Sequence, residues 1–177
     1  MQQEIKLNKL MDILQADLSD KTTVIIDSTG NVETFLKYKG DIIEINKLKL
    51  KQQMSKLEDK ELDTEIRHRI VSSFRLGGIV ALFLDSAISL DLIEFLGQFK
   101  WFDKSAFFNS KNMITRDYFV KHDMITKDED KDNFGNVGYW APAEKSRLLV
   151  VVNGDDKDIE TVKKNFSSDL FQFVIVK

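Results

Sequence analysis

Ile79-Val80-Ala81-Leu82-Phe83-Leu84-Asp85 is apolar for six residues and ends on an acid. It lacks the alternation of a strand with one wet face, so it reads as a strand covered on both faces. Four other runs share that character: Thr22–Asp27, Asp41–Asn46, Arg147–Val152 and Phe171–Val176. The stretches between these five are 28–40, 47–78, 86–146 and 153–170. Each exceeds the dozen or so residues that a parallel crossover needs, and none is a tight hairpin. The sequence therefore predicts an α/β fold with a mainly parallel five-stranded sheet flanked by helices.

The intervening stretches carry helical spacing. Residues 4–18 place Leu7, Leu10, Met11, Leu14 and Leu18 on one stripe, which predicts an N-terminal amphipathic helix within 1–20. The core then runs over 21–177. Within 53–75, Leu62, Ile66, Ile70 and Phe74 stand four apart, and Gly77-Gly78 fits the stop of that long helix. A Ser89-led helix is expected next, with Leu92, Ile93, Leu96 and Phe99 inward. A helix at 158–166 has Asp158 and Glu160 first and Lys163 and Lys164 last, which complements its dipole. Residues 100–146 form an irregular insertion with one helical piece at 115–122.

Composition narrows the function classes. The 177 residues are 42% apolar and 31% charged, as in an ordinary globular domain. The net charge of −3 gives no electrostatic footprint for nucleic acid or an anionic membrane, so neither is expected as a partner. Without cysteine there is no disulfide, thiol nucleophile or Cys-zinc site, and His68 and His122 stand far apart. No apolar run approaches the ~20 residues of a membrane span, and Met1 leads into a charged stretch, so a cytoplasmic protein is expected.

Ligands on parallel sheets bind beyond the carboxyl ends of the strands. Those ends offer Asp27-Ser28-Thr29-Gly30-Asn31, Asp85-Ser86 and Asn153-Gly154. A phosphate loop needs free backbone N–H groups, a helix N-terminus and a Gly-Lys-Ser/Thr ending. Here Glu33-Thr34 stands at that ending, and a carboxylate there repels a triphosphate. Asp85 follows a hydrophobic strand as a Mg²⁺-holding acid does, but Ser86 replaces the carboxylate that would orient water. Asn153 could reach a phosphate, or Asn153-Gly154 is simply a turn. Ser28, Thr29, Gly30, Asn31, Asp85 and Asn153 are thus the candidate nucleotide-binding residues, as a vestige. No catalytic residue, metal ligand or cofactor is expected, and the alternative is a nucleotide with Mg²⁺. A receiver-like domain fits poorly, because the first strand lacks an adjacent acid pair.

Two further clusters invite function. Asp128-Glu129-Asp130-Lys131-Asp132 resembles the start of a calcium loop, but neither frame places Gly at position six together with Glu at twelve. It reads as a solvated loop. Trp101, Phe102, Phe107, Phe108, Tyr118 and Phe119 make either a secondary core or a partner surface, and core is favoured.

In order and spacing the pieces resemble the AAA modules of dynein heavy chains, most closely the fifth, non-hydrolysing one. Val24-Ile25-Ile26-Asp27-Ser28-Thr29-Gly30-Asn31-Val32 is similar to its degenerate phosphate loop, and Phe74-Arg75-Leu76-Gly77-Gly78-Ile79-Val80 to its Arg-x-Gly-type turn before the third strand. Asp85 with Leu90-Asp91-Leu92, Arg147–Val152 and Leu170–Val176 follow in the same order. Ser28 stands for an expected proline, Asn153-Gly154-Asp155 for a Thr-Lys-Leu-type run, and the chain stops at Lys177 before a helical lid. The resemblance, over about 22–177, implies a P-loop NTPase core of AAA type without a lid. It also implies a catalytically silent interaction protein of a microtubule-based, ciliary or axonemal assembly. The second strand and the C-terminal fifth strand would then be the sheet's two edges. A nucleotide-binding or phosphotransfer enzyme of the same sheet class is the alternative.

Overall fold

The computed structural model describes residues 2–86 and 91–177. Among these, six strands form one all-parallel sheet: β1 Gln2–Ile5, β2 Thr22–Asp27, β3 Gly40–Glu44, β4 Ile79–Leu84, β5 Arg147–Asn153 and β6 Phe171–Val176. Their order across the sheet is β1-β6-β2-β5-β4-β3. The α/β class and the five expected strands are all present. The count of five is corrected by β1.

The N-terminal segment also departs from the expected single helix. Strand β1 is followed by a 3-10 turn at Leu7–Lys9 and a short helix α1, Leu10–Gln15. β1 pairs in parallel with β6, Gln2 opposite Phe173 and Ile5 opposite Val176. The fifth expected strand is therefore not an edge; β3 is one edge and β1 the other.

Direction of crossing decides which face each helix covers. The chain moves one way across the sheet from β1 to β2 and from β2 to β3, and the opposite way afterwards. Because such crossovers are right-handed, the two sets of helices fall on opposite faces. One face carries α1 and α2 (Val32–Lys37), packed through Leu10, Leu14, Val32 and Leu36 on Ile25, Ala81, Leu149 and Val174. The other carries α3 (Ile45–Gln53), α4 (Asp59–Arg75), α5 (Leu92–Leu96), the insertion, and α8 (Ile159–Asn165). The second face is much the more heavily covered.

Helix α4 has the expected stripe, with Leu62, Ile66, Ile70 and Phe74 all buried. Each such side chain contributes about 1.5–3 kcal/mol relative to exposure. It begins later than expected, because Ile45–Gln53 is a helix of its own and Ser55 takes a left-handed φ of 53° between the two. It ends at Gly77, φ +74°, where Gly77 N–H reaches Phe74 O at 3.3 Å and Gly78 N–H reaches Ser73 O at 2.9 Å. Those two bonds satisfy carbonyls that a helix otherwise leaves open.

The expected Ser89 start of the next helix lies outside the described residues. Its described part, α5, is capped by Asp91, whose carboxylate accepts from Ile93 N–H at 2.9 Å and Glu94 N–H at 3.0 Å. In the insertion, α6 (Lys104–Phe107) and α7 (Arg116–Lys121) carry Phe107, Phe108, Tyr118 and Phe119 into the core beside Trp101, all buried. The Phe108 ring packs tilted on Phe171 of β6, centroids 4.7 Å apart, and Trp140 likewise on Phe119 at 4.6 Å. Trp101 Nε1 donates to Asp63 Oδ1 at 2.6 Å, so even its polar edge is paired within the protein. The aromatic cluster is core.

Candidate functional site

Adjacent parallel strands whose following helices lie on opposite faces open a crevice at their carboxyl ends. Here that point is β2, followed by α2 on one face, next to β5, followed by α8 on the other. The turn after β2 holds four of the candidate residues, Ser28, Thr29, Gly30 and Asn31. Asn153 is brought beside it, since Asp27 and Asn153 are register partners and Gly154 N–H donates to Asp27 O at 3.1 Å. Asp85 follows β4, with β5 between it and β2, so about two strand spacings, roughly 10 Å, separate it from the turn. Its N–H donates to Asn46 Oδ1 at 3.1 Å, and it lines a shallow recess with Lys47, Lys49 and Leu50. The structure thus gathers Ser28–Asn31 and Asn153, and sets Asp85 apart against α3.

The turn is closed on itself. Asp27 is buried, and its Oδ1 accepts from Thr29 N–H at 2.9 Å, Thr29 Oγ1 at 2.7 Å and Gly30 N–H at 3.1 Å. Its Oδ2 accepts from Val32 N–H, the first helical residue of α2, at 2.8 Å. Asn31 N–H donates to Thr29 Oγ1 at 3.1 Å. Ser28 gives both its N–H and its Oγ to Val176 O, at 3.1 and 2.8 Å. Every backbone N–H from 28 to 32 therefore has an acceptor inside the protein. Gly30, at φ +69°, supplies the left-handed step that turns these groups inward toward Asp27.

A phosphate in this loop would compete with a carboxylate already held by three backbone N–H groups. Two anions cannot share that cradle, and Asp27 is covalently fixed in it. Glu33 adds no cation there; it is engaged with Lys37 one turn along α2 at 2.5 Å. Among the described residues no hydrogen-bond donor reaches the buried Asn153 Oδ1. The role of Asp27 was missed in the sequence because an acid ending a strand looks the same whether it faces a ligand or its own loop. The signal that could have found it is Asp-x-Thr-Gly at the end of a strand, a turn-capping spacing.

The acidic run at 128–132 also behaves differently from the solvated loop expected. Glu129 accepts from Arg67 Nη1 at 2.6 Å and contacts His68 Nδ1 at 2.9 Å, and Thr126 donates to it through N–H and Oγ1, both at 2.9 Å. Asp130 takes both terminal nitrogens of Arg116, at 2.5 and 2.8 Å. Asp132 caps its own turn, accepting from Phe134 and Asn136 N–H at 2.8 Å each. Glu129 pins the insertion to α4, and Asp130 ties this loop to α7 within the insertion.

The fold and this crevice define a class: an all-parallel α/β protein, covered on both faces, with a self-capped turn at its switch point. No family model, curated protein or solved structure matches the chain. Among the described residues no helix is long and apolar enough to cross a membrane.

Proposed function

We propose that the chain is a catalytically silent interaction protein built on an AAA-like α/β core. The observation that carries this reading is the Asp27 carboxylate, which occupies the N–H groups that a nucleotide phosphate would need. The missing Gly-Lys-Ser/Thr ending and the remoteness of Asp85 support it, since neither charge neutralisation nor water activation is provided at the crevice. Strand β3 is an edge, as the AAA resemblance implies for the second expected strand, whereas the fifth is covered by β1. The type of assembly, microtubule-based and dynein-related, rests on that resemblance alone.

Two measurements test the two parts separately. Mg²⁺-ATP titrated into the purified chain should show no saturable binding and no turnover. Hydrolysis at even ~0.1 s⁻¹, below the usual enzyme range, would overturn the silent reading and favour the nucleotide enzyme. A native pull-down should bring tubulin or dynein subunits. Their absence, with other proteins captured reproducibly, would remove the dynein-related assignment while leaving the silent core intact.

A further inference from the structure

The sheet face under α1 carries a row of polar side chains at its amino end. Alternate residues of a strand share a face. On β1, β6, β2 and β5, one step of two back from Ile5, Val174, Ile25 and Leu149 reaches Gln3, Gln172, Thr23 and Arg147. Four adjacent strands thus each place one polar residue on one face near their amino ends, in a staggered line: Thr23 stands opposite Gln172, Gln3 opposite Val174, and Arg147 two residues before Leu149, which is opposite Thr23. Gln172 Nε2 donates to Thr23 Oγ1 at 2.8 Å, tying two of the four together. A cleft of about 200 Å³ opens there, lined by Leu14 at the end of α1 and by Leu18 beyond it.

Arg147 gives the cleft its chemistry. Its guanidinium donates to the carbonyl oxygens of Glu144 and Ser146, at 3.0 and 2.9 Å, and of Ala16 at 3.3 Å. Those bonds fix its position; among the described residues no carboxylate forms an ion pair with it, although Asp17, which also lines the cleft, attracts it at longer range. Burial pulls its pKa below the ordinary arginine value, and the attraction of Asp17 only partly opposes this. A cation so placed gains from an anion brought into the cleft. Lys21 and Asp17 also line the cleft, with opposite charges, and Lys21 Nζ donates to Ser168 O at 2.5 Å. The other walls are mixed: Leu14, Leu18 and Leu149 are apolar, and Ser19, Thr23, Ser110 and Gln172 are polar. An engineered apolar cavity of about 150 Å³ holds benzene, so this volume suits one ring and one small charged group.

We propose that this cleft binds a small monocarboxylate with an apolar body, about the size of benzoate, its carboxylate on Arg147 and its ring against Leu14, Leu18 and Leu149. The site lies at the opposite end of the strands from Ser28–Asn31 and does not depend on whether that turn binds nucleotide. The apolar walls disfavour inorganic phosphate, which would leave them uncovered.

The test titrates benzoate, benzyl alcohol and inorganic phosphate into the full chain and follows backbone amide NMR shifts. Benzoate should saturate with Kd near ~1 mM, the strength reasonable for so few atoms. Shifts should centre on Thr23, Leu149 and Gln172. Benzyl alcohol, of nearly the same shape but neutral, should bind at least ~10-fold more weakly, as should phosphate and the Arg147→Gln variant. Failure to saturate, equal binding of benzyl alcohol or phosphate, or shifts centred on Ser28–Asn31 would each overturn the proposal. Should Arg147→Gln not fold, the benzoate to benzyl alcohol ratio in the unaltered chain decides.

Discussion

A carboxylate surrounded by donors does different work according to where its donors come from. Asp27 takes backbone N–H groups of its own turn and so fixes local structure. Glu129 takes donors from a helix sixty residues away and so fixes tertiary structure. Burial would raise the Glu129 pKa, but hydrogen bonds from Arg67, His68 and Thr126 outweigh that and hold it at about 2, against 4.5 for an unperturbed glutamate. Because the folded value is depressed, its stabilisation is fully present above pH ~4.5 and is lost as pH falls through about 2. Glu129→Gln should therefore cost about 1–3 kcal/mol at pH 6. The gap between wild type and variant should close as pH falls from 4.5 toward 2. Urea unfolding at a series of pH values checks this. A difference that stays constant down to pH 2 would mean that the Arg67–Glu129 pair does not hold the insertion.

Among the elements, β1 bears the most consequence for its length. Its four residues hydrogen bond along the apolar strand β6, and Lys177 N–H closes the pairing on Ile5 O at 3.0 Å. Without it, the ladder groups of Phe171–Val176 would face solvent along an uncharged run, a template for pairing with another chain. β1 is a safer edge, short and flanked by exposed Glu4 and Lys6. Deleting residues 1–6 should convert a monomer into associating or insoluble material, read by light scattering after size exclusion. A truncated chain that remains monomeric at all concentrations would show that β6 is protected by something other than β1. Strands β2 to β6 were legible in the sequence because burial on both faces leaves continuous apolar runs. Gln2-Gln3-Glu4-Ile5 was not, because an edge strand with one partner needs no such run, and the stripe from Leu7 onward suggested helix instead. Positions at the carboxyl ends were legible from strand endings alone. The grouping of Gln3, Gln172, Thr23 and Arg147 on one face was not, since it comes together only once the strands are set in order.

At the scale of the whole molecule, the unequal covering of the sheet assigns the insertion its place. One face has only α1 and α2, while the other is closed by helices and by the aromatic side chains between α5 and β5. The insertion is tied to the sheet and to α4: Thr22 N–H and Oγ1 of β2 donate to Phe108 O at 3.1 and 2.9 Å, and Ser146 Oγ donates to Phe74 O of α4 at 2.9 Å. Arg67 Nη1 adds a bond to Met124 O at 2.7 Å. Removing this layer would expose Phe74 and Phe171 as well as the aromatic residues it brings, so it should not unfold apart from the sheet. The chain supplies its own probe for this, because both of its tryptophans, Trp101 and Trp140, lie in the insertion and are buried. Tryptophan fluorescence reports the insertion, and far-ultraviolet circular dichroism reports the helices and sheet. If the layer is part of one cooperative unit, the two signals should give coincident urea midpoints and equal slopes. A fluorescence transition at distinctly lower urea would make the insertion a separately stable lid. Its aromatic residues would then become available to a partner without unfolding the core.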